Sequence, residues 1–218
     1  MFNITNRIST NLQTVCSAIR PYPFILLFVV VVAGCAKVPK DYEIQKGDIL
    51  FQSLPKNPLV IAIEGATNSP YSHCGIVVER AGEWYVLEAI GPVKETPLAD
   101  WIDQGRGNKF WAYRMDESLQ PQIPDILFNA RKEAGKGYDI LYRFDNDEIY
   151  CSELIYNAVK EATDTELGVI EKLGDLNWKP YEQTIINIQG YVPLDREMIT
   201  PVALSRAPEL FLVYPEGK

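Results

Sequence analysis

Histidine and cysteine are scarce in this sequence, and their scarcity narrows the chemistry open to the chain. The 218 residues include one histidine, His73, and four cysteines, with no Cys-x-x-Cys pair. Structural zinc sites take four Cys or His ligands, so no metal site is expected. The sequence also lacks a P-loop, a Gly-x-Gly-x-x-Gly and a Gly-x-Ser-x-Gly motif, which are signatures of phosphate, dinucleotide and α/β-hydrolase sites. We therefore expect no bound cofactor.

Positive charge is also in short supply. The chain carries 21 Lys and Arg against 29 Asp and Glu, a formal net charge of −8. Proteins that bind nucleic acid usually present a basic surface, so this balance argues against such a partner. There is no internal repeat and no low-complexity tract, and the length suits one domain with a full core.

The N-terminal region has no acidic residue and is predicted to be a targeting segment. Phe24 to Val32 is a continuous apolar run that is too short for a membrane-spanning helix but suits the core of a signal peptide. The run leads into Val32-Ala33-Gly34-Cys35, which resembles a bacterial lipobox. We predict a lipoprotein signal peptide at 1–34. An uncleaved short anchor with an incidental cysteine is the alternative.

Cleavage before Cys35 would let its thiol carry the lipid, with 35–45 as a tether and 46–218 as the folded domain. Ala36-Lys37 provides no acidic retention signal, which in bacterial lipoproteins favours the outer membrane. The predicted location is therefore the bacterial cell envelope, lipid-anchored at the outer membrane and facing the periplasm or the exterior. The membrane would be a partner through lipidated Cys35.

Two cysteines, Cys74 and Cys151, remain outside the targeting region. Leu154, Ile155, Ala158 and Val159 recur at three- and four-residue spacing and predict an amphipathic helix, with Cys151 in its first turn. Free backbone N–H groups and the helix dipole favour a thiolate at that position. In an oxidising compartment the two cysteines could instead form a disulfide.

A hairpin brings the histidine close to an acid. Ser72 to Glu79 and Trp84 to Ile90 are predicted strands, and if Ala81-Gly82 is the two-residue loop, Gly75 lies opposite Glu88. His73 and Glu88 then share a face at a diagonal spacing of about 7 Å. Gly75 has no side chain to separate them. Cys74 points to the opposite face and is predicted to be a core residue.

The rest of the chain is predicted to contain both strands and helices. Strands are predicted at Gly47 to Phe51, after a turn, at Lys109 to Arg114 and at Leu210 to Tyr214, and helices at Leu59 to Thr67, Leu98 to Gln104 and Asp125 to Gly135. Apart from its short helix, the stretch from Pro92 to Gly107 is predicted to be a loop.

These residues suggest nucleophilic catalysis. Cys151 is the candidate nucleophile, His73 the only available imidazole base, and Glu88 the candidate carboxylate that orients the ring. Asp139 and Glu79 are weaker candidates for that orienting role. The backbone N–H of Cys151 could stabilise an oxyanion. The Tyr150 hydroxyl is a tentative second donor, although a packing role is the more ordinary one for a tyrosine.

Four short motifs also carry a resemblance to a known family. They are Gly-Asp-Ile-Leu-Phe at 47–51, Ser-His-Cys-Gly-Ile-Val at 72–77, Val-Leu-Glu-Ala at 86–89 and Tyr-Cys-Ser-Glu-Leu-Ile at 150–155. Together they resemble the YiiX/YebB-type permuted papain-like hydrolases, which are relatives of the NlpC murein endopeptidases and of the lecithin:retinol acyltransferases. The resemblance covers about 46–160, with a looser match at 199–204. Cys74 departs from it, since an apolar residue is more usual there.

The resemblance implies an α+β, permuted papain-like (NlpC-like) fold, with an antiparallel sheet or small barrel packed on the helix that bears the nucleophile. It also implies a Cys-His-Glu triad of Cys151, His73 and Glu88. The favoured function is an envelope amidase or peptidase that cleaves an amide bond in a peptide or peptidoglycan-like substrate. A second hypothesis is a lipid-directed acyltransferase or thioester/ester hydrolase. A third hypothesis is a non-catalytic lipoprotein with a Cys74–Cys151 disulfide.

Overall fold

The computed structural model describes residues 38–39, 42–144 and 146–215, which all fall within one compact unit, Cys35–Lys218. The predicted signal peptide at 1–34 and the lipid acceptor Cys35 lie outside the described residues, so both stay predictions. Among the residues that are described, no helix combines the length and the apolar character needed to cross a bilayer.

The described chain alternates short strands with short helices. The strands are β1 (Ile49–Gln52), β2 (His73–Arg80), β3 (Glu83–Ala89), β4 (Val93–Pro97), β5 (Phe110–Met115), β6 (Glu171–Lys172), β7 (Glu197–Met198) and β8 (Leu210–Tyr214). The α-helices are α1 (Pro58–Ala66), α2 (Leu98–Gln104), α3 (Ile123–Lys132), α4 (Cys151–Thr163), α5 (Glu182–Gln189) and α6 (Pro201–Ser205).

Six of the strands form one antiparallel sheet in the order β4-β3-β2-β1-β5-β8. The two-residue strands β6 and β7 pair separately. The central strands β1 and β2 are almost wholly buried, because helices cover the sheet on both sides. The prediction of an α+β fold with an antiparallel sheet packed on the cysteine helix is confirmed.

Alternating side chains divide the sheet into two apolar faces. One face carries Phe51, Cys74 and Leu87 in a buried cluster that also holds the apolar stripe of α4. The other carries Leu50, Val77 and Val86 in a cluster with Trp101 of α2. The helix that bears Cys151 therefore packs on one face, and α2 on the other.

The hairpin of β2 and β3 has the predicted register. Arg80 pairs with Glu83 and Ile76 pairs with Leu87. Ala81 and Gly82 both have positive φ, at 54° and 82°, as a two-residue turn of this kind requires. Because a slip of one residue would exchange the faces of every side chain, this register decides which residues accompany His73.

Three parts of the structure differ from the sequence prediction. Val93–Pro97 is strand β4, not a loop, because its backbone pairs with β3 although its sequence has only one aliphatic residue. Helix α3 begins at Ile123 and ends at Lys132, before the predicted end at Gly135. The helices α5 and α6 were not predicted, because they are short and their apolar faces depend on tertiary packing.

Candidate active site

Cys151 is the first residue of α4. The preceding residue, Tyr150, has extended backbone angles, with φ −102° and ψ 168°, and forms the N-cap. The Glu153 carboxylate accepts a hydrogen bond from the Tyr150 N–H at 3.3 Å, one half of a capping box. The sulfur therefore lies beside the unsatisfied N–H groups of the first helical turn.

His73 and Glu88 are brought together by the hairpin. Nε2 of His73 lies 2.6 Å from Oε2 of Glu88, and both residues are at most 1% exposed. A Cβ on Gly75 would overlap Val86 Cγ1 and lie 3.3 Å from Glu88 Cβ. Glycine therefore leaves the room in which the carboxylate reaches the imidazole, as the sequence suggested.

Two further residues hold the Glu88 carboxylate. Thr96 Oγ1 donates to Oε1 at 2.5 Å, and Gln104 Nε2 donates to Oε2 at 2.9 Å. Sequence reasoning missed both, because Thr96 lies in the unpredicted strand β4 and Gln104 ends a helix whose docking no local pattern reveals. The ring of Trp101 covers the imidazole, with centroids 6.1 Å apart.

The cysteine of α4 meets the histidine of β2 at the end of the sheet. The side chains of His73 and Cys151 are close enough to shift each other's pKa. Since Nε2 is bonded to Glu88, Nδ1 is the ring nitrogen left for the sulfur. Cys74, on the α4 face, belongs to the same buried cluster as Cys151, and both cysteines are free thiols. The structure thus brings Cys151 close to the hydrogen-bonded pair of His73 and Glu88.

These contacts shift the pKa values of all three groups. The hydrogen bond from Cys74 lowers the pKa of Cys151 well below its ordinary value, and the His73 hydrogen bond and charge outweigh the opposing effect of burial. Burial lowers the pKa of His73, but hydrogen bonds to Cys151 and Glu88 raise it to about 9. Burial would raise the pKa of Glu88, yet His73 lowers it overall. This pattern favours a thiolate beside an imidazolium.

The Tyr150 hydroxyl lies in a packed position. It accepts a hydrogen bond from the backbone N–H of Ile199 at 3.0 Å, and the residue is fully buried. Its part in an oxyanion site stays a prediction. The two weaker candidates for orienting His73 have other partners: Glu79 pairs with Lys46 at the surface, and Asp139 binds backbone N–H groups of its own loop.

A pair of tyrosines that sequence reasoning missed lies beside Cys151. The hydroxyls of Tyr138 and Tyr142 are 3.2 Å apart. Burial raises the pKa of both, and the nearby charge of Cys151 raises it further. Both belong to the segment between α3 and α4, to which sequence reasoning assigned no role in the site.

An apolar cavity of about 80 Å³ lies between α1 and α5. Tyr142 and Ile199 line it, together with aliphatic residues of α1 and α5. Ile199 contacts both neighbours of Cys151: its N–H bonds to Tyr150, and its carbonyl accepts from Ser152 Oγ at 2.7 Å. Ile199 therefore connects the lining of the cavity to the start of α4.

Comparison with known proteins gives consistent matches. The family model described as "permuted papain-like amidase enzyme, YaeF/YiiX, C92 family" matches residues 43–214. An uncharacterized protein of Escherichia coli K12, YiiX, is 34% identical over 179 residues, which cover 80% of this chain and 88% of that protein. A crystal structure of YiiX from E. coli O157:H7 superposes with a TM-score of 0.74 at 34% identity and covers 78% of this chain and 97% of that one.

The crystallised relative is named a metalloprotein. In the part of this chain that the structure describes, no three His, Cys, Asp or Glu side chains group together as metal ligands would. The residues around Cys151 therefore do not fit a metal centre, and no step of the chemistry below depends on one.

Proposed function

This chain belongs to the permuted papain-like amidase family of YaeF and YiiX and is a cysteine hydrolase, and we propose that it cleaves an amide bond in a peptide or peptidoglycan-like substrate. Cys151 is the proposed nucleophile, His73 the base that holds and returns its proton, and Glu88 the carboxylate that orients the imidazole. The observation that carries the proposal is the buried hydrogen bond between His73 and Glu88 at 2.6 Å, with Cys151 close to the imidazole.

In this mechanism the Cys151 thiolate attacks the amide carbonyl and forms a tetrahedral intermediate. The N–H groups at the start of α4 are positioned to donate to its oxyanion. The His73 imidazolium then protonates the leaving amine, and the acyl group stays on sulfur until water, deprotonated by His73, releases it. Glu88, buried and held by Thr96 and Gln104, stabilises the imidazolium throughout.

The experiment compares the full-length protein with Cys151→Ala on muropeptides, following release of new amino groups. We expect turnover by the wild type and none by the variant, whose fold is checked by circular dichroism. His73→Ala should cost more activity than Glu88→Ala, because a base is harder to dispense with than the group that orients it. Turnover retained in Cys151→Ala would disprove the assignment of the nucleophile.

A second candidate is hydrolysis or transfer of an acyl group from a lipid. The apolar cavity beside Tyr142 and Ile199 favours it, since its lining exposes almost no polar surface. At about 80 Å³ the cavity is smaller than the roughly 150 Å³ that accommodates benzene in a protein core. It suits an aliphatic side chain or the end of an acyl chain, so phospholipid vesicles belong in the same assay as the muropeptides.

The envelope location remains part of the proposal. The lipobox at Val32–Cys35 supports lipidation of Cys35. Metabolic labelling with an alkyne fatty acid should mark the wild type and not Cys35→Ala, which should move from the membrane fraction to the soluble fraction. Equal labelling of both proteins would contradict the assignment of Cys35.

A further inference from the structure

Cys74 and Cys151 are neighbours in the core although 77 positions separate them in the sequence. Cys74 is the second residue of β2, on the face covered by α4, and Cys151 begins α4. They belong to the same buried cluster, with 0% and 2% of their surfaces exposed. The two residues are close enough for the side chain and the backbone of Cys74 both to act on the pKa of the Cys151 thiol.

From this juxtaposition we propose that Cys74 is a resolving thiol for Cys151: a peroxide oxidises the pair to a disulfide and reversibly blocks the nucleophile. The consequence for activity rests on the proposed function, whereas formation of the disulfide does not. Cys74 helps to lower the pKa of Cys151, but no step of the active-site chemistry above transfers a proton or a bond to a second thiol. His73 approaches Cys151 from the other face of β2, so Cys74 is not the base.

Each step of the oxidation balances. The Cys151 thiolate attacks one peroxide oxygen, the O–O bond breaks, and a sulfenic acid forms while hydroxide leaves. Cys74 sulfur then attacks the Cys151 sulfur, the S–S bond forms, and the S–OH bond breaks. The departing hydroxide takes the Cys74 proton as water. In total two thiols lose two electrons and two protons, and one peroxide becomes two waters.

The burial of the pair favours a small oxidant. Disulfide exchange with an oxidoreductase requires a protein sulfur to reach the attacked thiol, and because Cys151 is only 2% exposed the site would first have to open, as it must for a substrate. A small neutral peroxide needs only a narrow path. The first thiol to react must be a thiolate. The lowered pKa of Cys151 favours a thiolate there, whereas burial raises the pKa of Cys74 and keeps it protonated.

Two neighbouring sulfurs form a bond of about 2.05 Å only if their Cα atoms lie within about 7 Å. The second residue of β2 and the first residue of α4 lie in one buried cluster on the same face of the sheet, as such a bond requires. A bond there occupies the sulfur that would attack substrate. It also protects Cys151 from irreversible oxidation to the sulfinic acid.

The test treats the full-length protein with hydrogen peroxide and maps its peptides by mass spectrometry under non-reducing conditions. We expect the peptides that contain Cys74 and Cys151 to be linked, with loss of two hydrogens. Dithiothreitol should separate them and restore activity. Cys74→Ala should instead gain oxygen at Cys151 and fail to recover activity with dithiothreitol.

Two results would contradict the resolving role of Cys74. One is a wild type with a sulfinic acid at Cys151 and a reduced Cys74, and the other is a Cys74→Ala variant whose Cys151 resists overoxidation as well as the wild type. The mass readout is independent of any substrate. A linked pair in a protein whose Cys151→Ala variant stays active would uphold the disulfide and refute the proposed function instead.

Discussion

Replacing Glu88 by Gln tests the coupling between the acid, the imidazole and the thiol without requiring the natural substrate. The carboxylate accepts from His73 at 2.6 Å in a site with no exposed surface. A hydrogen bond to a charged group contributes about 1.5–3 kcal/mol. At about 1.4 kcal/mol per pKa unit, its loss should lower the pKa of His73 by about 1–2 units from its value of about 9.

The pKa of the Cys151 thiol should move in the opposite direction, upward. The positive charge of His73 helps to lower the pKa of Cys151, so a weaker imidazolium should raise that pKa. The thiolate can be followed by its ultraviolet absorbance as a difference from Cys151→Ala, titrated over pH. In Glu88→Gln we expect the midpoint of thiolate formation to move upward and kcat/KM to fall about 10- to 150-fold.

Glu83→Gln is the matched control, because Glu83 lies on the same strand but is exposed and bonds only to the Tyr85 hydroxyl in the described structure. The pH titration of the Cys151 thiolate in Glu83→Gln should match that of the wild type. If folded Glu88→Gln also titrates as the wild type does, the carboxylate does not act through His73 and the reasoning fails. A shift in both variants would point to a general effect of charge.

Three further changes test other features of the same structure. Gly75→Ala should lower the free energy of unfolding by about 1–3 kcal/mol in urea denaturation and reduce activity, because its Cβ would push against Val86 and the strand of Glu88. Gly91→Ala is the control: a Cβ there meets open space, so neither stability nor activity should change. Burial raises the pKa of Glu153 in the folded protein from its ordinary 4.5 to about 7. The wild type therefore loses stability as pH rises from 4.5 to 7. After a discount for solvent screening, Glu153→Gln should be about 1–2 kcal/mol more stable than the wild type above pH 7 and as stable as the wild type below pH 4.5. Gln52→Met should gain about 1 kcal/mol in thermal unfolding, since both amide atoms of buried Gln52 lack a partner, and a loss would reveal a bond to water.

The sequence predicted the parts of the site that local geometry determines. A two-residue turn and the alternation of the strands fix the register of β2 and β3, and that register places Glu88 beside His73. The apolar stripe after Cys151 identifies α4 and its first residue. Both features depend on chain segments of fewer than 20 residues, within which backbone periodicity leaves few alternatives.

The parts that were missed depend on contacts between distant segments. Thr96 reaches Glu88 only because β4 adds to the edge of the sheet, and Gln104 only because α2 packs across it. Cys74 was predicted to be a core residue, which its burial confirms. That the core around it includes Cys151 follows from where α4 lies on the sheet, and side-chain patterns do not encode that position.

The burial of Cys151 has a consequence for how any substrate reaches it. The sheet and α4 form the core, so separating them would expose the whole apolar cluster and cost most of the stability of the domain. The segment between α3 and α4 is held partly by bonds of its own, since Asp139 accepts hydrogen bonds from Leu141 N–H and Arg143 N–H. Those bonds can move with the segment. Its displacement would break the bond from Arg196 to the Leu141 carbonyl and the packing of Tyr138, Tyr142 and Phe144 against the core cluster. That loss is smaller than the loss from separating α4 from the sheet, so we expect this segment to yield first to a substrate.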